Sequence, residues 1–107
     1  MRFEIVLAPD AVRSLRALRA DVRSRVRDGI ERHLRHEPTK TSRSRIKRLR
    51  GVSRPQYRLR VDDIRVFYDV TETTVEVLAI ITKAEAQARL DQEGTFDPPG
   101  GVGEGQG

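Results

Sequence analysis

The 107-residue chain contains no cysteine, which removes disulfides, a thiolate zinc site and a cysteine nucleophile from consideration. No apolar run approaches the roughly 20 residues that a membrane span needs. The N-terminus leads straight into a polar-alternating segment without a signal-peptide pattern, so a cytoplasmic location with no membrane partner is the expectation. Neither a glycine-rich phosphate loop nor a dinucleotide fingerprint nor a Ser-His-Asp or Cys-His pattern stands out, and no cofactor is expected. Lysine is scarce as well: Lys40, Lys47 and Lys83 are the only ones among 21 basic residues. Arginine's affinity for phosphate and a GC-rich coding sequence are competing reasons for that bias.

What remains is one small domain with a thin core, at 36% hydrophobic and 35% charged residues. The net charge is +5 and the pI about 10.4, the range in which a basic domain suggests nucleic acid. The charge is also concentrated. From Arg43 to Arg65 nine basic residues face only two acids, Asp62 and Asp63.

The most informative stretch lies inside that run, from Pro55 to Val70. Tyr57, Leu59 and Val61 alternate with Arg58 and Arg60; Ile64, Val66, Tyr68 and Val70 alternate with Arg65, Phe67 and Asp69. This period of two predicts two strands joined at Asp62-Asp63, with Val61 opposite Ile64, Arg60 opposite Arg65, Leu59 opposite Val66 and Arg58 opposite Phe67. Both apolar faces then coincide. The other face gathers three arginines, and like charges directly opposite each other are unfavourable. A bound anion would relieve them.

Around this hairpin the order reads strand, helix, helix, three or four antiparallel strands, short helix. Residues 2–7 alternate as a first strand. Pro9 suits the first turn of a helix carrying Val12, Leu15 and Leu18. Asp21 is the expected cap of a second helix with Val22, Val26, Ile30 and Leu34 on one stripe, the connection falling at Ala20-Asp21. Ile46 to Arg50 starts the sheet proper and Gly51 ends it. Val75 to Ile81 is a nearly continuous apolar run, as in a strand covered on both faces. Lys83 to Gln92 has helical composition. The fold class is therefore α+β: an N-terminal strand, a helical hairpin packed on a small, mainly antiparallel sheet of about four strands, and a short C-terminal helix. The domain occupies residues 1–92, with a disordered Gly- and Pro-rich tail over 93–107.

The arginines of the two helices point several ways and read as a solvated face. His33 and His36, spaced i and i+3, lack a third ligand nearby, and no metal site is assigned. The chemistry therefore rests on the cationic sheet face. Arg58, Arg60 and Arg65 project together, Lys47 and Arg50 stand beside them on the neighbouring strand, and Phe67 offers a ring for base stacking. Such a face can stabilise a phosphorane-like transition state, bind a polyanion without chemistry, or simply be tolerated.

The runs Ile46-Lys47-Arg48-Leu49-Arg50-Gly51, Tyr57-Arg58-Leu59-Arg60-Val61, Ile64-Arg65-Val66-Phe67-Tyr68-Asp69-Val70 and Val75 to Lys83 resemble the RelE/ParE superfamily of bacterial type II toxin–antitoxin toxins. The resemblance covers about residues 2 to 92. It implies a ribosome-dependent mRNA endoribonuclease that inhibits translation and growth, cutting by attack of a 2′-hydroxyl on the adjacent phosphate. By that resemblance the catalytic residues are Arg58 and Arg60, which match the family's first basic pair, Arg65, which matches the strand arginine that holds the scissile phosphate, and Lys83, which stands near an expected arginine, while Lys47, Arg50 and Phe67 would contact RNA. The chain departs from the pattern where a tyrosine is expected: Leu90, flanked by Arg89, stands there. Arginine at 58 and 60 keeps phosphate binding but is a poor proton-transfer group. Alternatives under the same resemblance are a ParE-like, non-nucleolytic inhibitor of DNA gyrase and a catalytically weak antitoxin-binding homologue. The implied partners are the ribosome and mRNA, or gyrase, and in each case a cognate antitoxin in a heteromeric complex. The exposed apolar side of the helical hairpin would be the antitoxin's docking groove.

Overall fold

The turn at Asp62-Asp63 forms where the alternation predicts it. In the computed structural model, which describes residues 2–86, β1 (Glu4–Leu7) precedes helices α1 (Pro9–Ala17) and α2 (Ala20–Leu34). Strands β2 (Ile46–Arg48), β3 (Tyr57–Val61), β4 (Ile64–Val70) and β5 (Thr74–Thr82) follow, and residues 83–86 are helical. Arg89, Leu90 and the tail expected over 93–107 lie outside the described residues.

The sheet has the order β1-β5-β4-β3-β2. It has five strands rather than about four, because β1 joins the edge in parallel with β5, Ile5 opposite Val75 and Leu7 opposite Val77. A parallel pair needs a crossover, and α1 and α2 belong to it. The other three pairings are antiparallel. Between β3 and β4 the partners are Val61–Ile64, Arg60–Arg65, Leu59–Val66 and Arg58–Phe67, the register expected from the sequence. Asp62 closes the turn at a φ of 53°, a left-handed conformation that aspartate tolerates better than most residues. Arg25 Nε donates to Asp62 Oδ2 at 2.7 Å and ties this turn to α2.

The core lies on the helix side of the sheet. Ala11 and Leu15 from α1 and Val26, Ile30 and Leu34 from α2 close over Leu59, Ile64, Val66, Tyr68, Val75, Val77 and Ile80. Gly29 has a packing role in α2: a Cβ there would stand 2.8 Å from a methyl of Val61, so the helix approaches β3 closely only because that atom is missing. The helix connection is Leu18–Arg19, not Ala20-Asp21, and α2 starts before Asp21, which lies in its first turn with no capping bond. Asp21 still meets the positive end of the helix dipole there. The end of α1 is covered by Arg23, whose guanidinium donates to the carbonyls of Arg16 (3.1 Å) and Leu18 (3.2 Å).

Two aromatic contacts link neighbouring strands, and a hydrogen bond then ties the sheet to the loop after α2. Arg48 lies over the Tyr57 ring at 5.1 Å, and Tyr57 stacks on Tyr68 at 5.6 Å. The buried Tyr68 hydroxyl donates to the Pro38 carbonyl at 2.6 Å. The apolar run of β5 owes its irregular spacing to a bulge: Phe67 pairs with Ala79 but Tyr68 with Val77, so Leu78 is passed over and Val77 and Ile80 both reach the core. Among the described residues no helix is long and apolar enough to cross a membrane.

Candidate nucleic-acid interface

Because side chains alternate across a pleated sheet, the register that sends Leu59, Ile64 and Val66 inward sends Arg58, Arg60 and Arg65 to the opposite face. Lys47 pairs with Arg58 and joins them from β2. Among the described residues none of these four makes an ion pair. Carboxylates do stand on the same face, at its other end, where Asp69 is opposite Glu76. Both are taken by Arg54, at 2.7 Å and 3.4 Å, and Asp69 also accepts the Gln56 amide at 2.8 Å. The face is thus divided into a neutralised end and a cationic end.

The cationic end is strained electrostatically. Arg58 is pushed below the ordinary guanidinium value, first by burial and then by the charges of Arg65 and Arg60. Its Nε is buried without a hydrogen-bond partner. Arg65 is lowered by burial and by Arg60, with Asp63 acting the other way. Its guanidinium donates to the Asp62 carbonyl at 3.1 Å, which holds it near the turn. Unsatisfied buried donors and crowded like charges are what an incoming phosphate oxygen would relieve.

The remaining expected site residues are placed less uniformly. Phe67 is on this face, but its ring is only 5% exposed and stands outside the helix-side core, as does Ile81. Stacking on a base would first require that ring to be uncovered. Arg50 is exposed beyond the end of β2, and the strand register does not carry it onto the face. The Lys83 amide donates to the Asp63 carbonyl at 2.6 Å, so this exposed lysine sits at the turn end of the sheet with Arg60 and Arg65. It follows directly on Thr82, which with Glu85 makes a reciprocal pair of bonds at 2.9 Å and 3.0 Å. This is a capping box, written in the sequence as Thr-Lys-Ala-Glu, a signal that helical composition alone does not carry.

Two clefts among the described residues bear on function. One, of about 510 Å³, is lined by Ile5, Leu7, Val12, Leu15 and Ile30 together with charged residues, and lies where the helical hairpin meets β1. The other, also about 510 Å³, lies between α2 and β3 and includes His33, Arg45 and Arg60. In the sequence His33 reads only as a surface group without metal partners, and Arg45 as one basic residue among several. A legible signal existed, since Arg25, Asp28, Gly29, Arg32 and His33 recur at three- and four-residue spacing on one helix face. His33 is held below its usual value by burial and by Arg45 and Arg32, against a smaller opposite effect of Asp28. Among the described residues no three potential metal ligands converge.

This layering, a five-stranded sheet with a two-helix crossover, is that of the RelE-like α+β fold. A chain of the RelB–RelE antitoxin–toxin complex from Methanococcus jannaschii superposes with a TM-score of 0.59 at 19% identity, covering 78% of this chain and 95% of that one. The RelBE2 toxin–antitoxin complex from Mycobacterium tuberculosis gives 0.57 at 22% identity over 77% and 99% of the two chains. The archaeal RelE–RelB complex from Pyrococcus horikoshii gives 0.51 at 20%, covering 78% and 97%. Residues 5–87 match the ParE toxin of type II toxin–antitoxin systems, and the chain belongs to that family, within the RelE/ParE superfamily. No protein of curated function matches the sequence.

Proposed function

We propose that this toxin acts on RNA through the cationic end of its sheet, as a RelE-like ribosome-dependent mRNA endoribonuclease that arrests translation and growth. The observation that carries the reading is the convergence of Lys47, Arg58, Arg60 and Arg65, none in an ion pair among the described residues, with the Arg58 Nε buried and lacking an acceptor. In this reading the guanidiniums hold the scissile phosphate and stabilise the extra negative charge that develops when the 2′-hydroxyl attacks phosphorus. Arginine is ill suited to moving protons. Lys83, at the same end of the sheet, is the titratable side chain assigned to that role, and otherwise the ribosome supplies it. Phe67, being covered, and Arg50, being off the face, are left out of the proposed contacts.

A cognate antitoxin is the proposed partner, supported by the likeness to antitoxin–toxin complexes, and the apolar groove beside β1 is its proposed seat. The ParE family match favours a second reading, inhibition of DNA gyrase without RNA cleavage. In a purified translation system, primer extension on ribosome-bound mRNA separates the two. New 5′ ends with the wild-type chain, lost in Arg65→Ala at unchanged melting temperature, are expected. Uncut mRNA together with blocked gyrase supercoiling would reverse the assignment.

A further inference from the structure

Resting on the RNA reading above, we propose that the cleft between α2 and β3 is a second phosphate subsite, which receives the backbone of the same bound strand as it leaves the arginine face. Arg60 belongs to both places. It is opposite Arg65 in the sheet and it also lines the cleft. Its amide donates to the Arg45 carbonyl at 2.8 Å, which brings Arg45 alongside. Because β2 begins only at Ile46, Arg45 lies just outside that strand, tied to the sheet edge beside Arg60.

Charge bookkeeping inside the cleft leaves a surplus. Asp62 is taken by Arg25 at 2.7 Å, and Asp28 by Arg32 at 3.8 Å. Arg45 and Arg60 make no ion pair among the described residues. Two uncompensated guanidiniums with an imidazole beside them match a phosphate, which accepts bidentate hydrogen bonds from arginine. An acidic peptide is a poorer match. Arginine clusters also bind acidic motifs, but helical peptides that dock in grooves add apolar anchors, and here Val61 is the main apolar side chain, whereas the apolar groove lies elsewhere, beside β1.

The test is binding of the full chain to an eight-nucleotide 2′-O-methyl RNA, which 2′ attack cannot cleave, followed by fluorescence anisotropy across salt concentrations. Loss of one phosphate contact to a single strand should make the log–log salt slope shallower by about 0.7, equivalent to about five-fold weaker binding at 0.1 M salt relative to 1 M. Arg45→Ala is expected to show that loss, with Arg45→Lys retaining the slope. A dinucleotide with one phosphate should respond to Arg65→Ala but not to Arg45→Ala. The His33 imidazole provides a second readout. It is faced by Arg25, Asp28 and Arg32 on its own helix, by Arg45, by Glu37 and Lys40 from the following loop, and across the cleft by Arg60 and Asp62. Its NMR titration should move to higher pH when the octamer binds.

Unchanged affinity and slope in Arg45→Ala, with weakened binding in Arg65→Ala, would overturn the subsite and leave the RNA reading standing. Unchanged binding in Arg65→Ala would remove the reading on which both rest. If Arg45→Ala weakens capture of polyglutamate but not of RNA, the cleft is a protein site and the proposal fails.

Discussion

Tyr68 shows how one side chain serves both the core and a loop. It is fully buried, its ring lies under Tyr57, and its hydroxyl is spent on the carbonyl of Pro38. Tyr68→Phe would leave that buried carbonyl without its donor, at a cost of about 1–2 kcal/mol measurable by urea denaturation. Burial, with a smaller contribution from Tyr57, raises the phenol well above its ordinary value of 10.0. The folded chain therefore keeps a proton that the unfolded chain gives up in alkali. Stability from this group is fully present below pH 10 and declines as the pH rises further. The alkaline loss should be smaller in Tyr68→Phe; an equal loss would show that another group governs it. At this same scale, the pairing of Arg60 with Arg65 was legible from alternation alone. The burial of Phe67 was not, because alternation tells which face a ring is on and not what covers it.

At the level of elements, the approach of α2 to β3 depends on Gly29. Alanine is the better helix former by about 1 kcal/mol, yet its methyl would meet Val61 at 2.8 Å. Val61 is β-branched and stiff, so the clash should win, and Gly29→Ala is expected to destabilise by about 1–2 kcal/mol in thermal or denaturant melts. Adding Val61→Ala should return part of that loss, and additive effects would mean that the two do not touch. The sequence made the helices legible through the Val22–Val26–Ile30–Leu34 stripe. It misled at Asp21, a good cap whose side chain makes no capping bond because α2 already starts at Ala20. The parallel place of β1 was not legible either. Four residues carry no pattern that distinguishes one sheet edge from another, and only the packing of the crossover decides.

For the whole molecule, the cationic end of the sheet sets the proposed RNA contact against stability. Arg60 and Arg65 repel, neither makes an ion pair among the described residues, and Asp63 offsets the repulsion at Arg65 only in part. Arg60→Thr is therefore expected to raise the melting temperature by roughly 2–4 °C at low salt while weakening RNA binding. The gain should shrink at high salt, where screening operates over a few ångströms. A melting temperature that falls instead would mean that Arg60 holds the fold together. The connectivity carries a different consequence. Residue 5 finds its partner at residue 75, so the first strand has no sheet to join until the fifth has formed. Such a long-range parallel closure is entropically slow. A nascent chain emerging from the ribosome carries β1 exposed while β2, β3 and β4 are made, and gains its full sheet only once β5 is released. The poison is assembled last, after almost all of it has been synthesised.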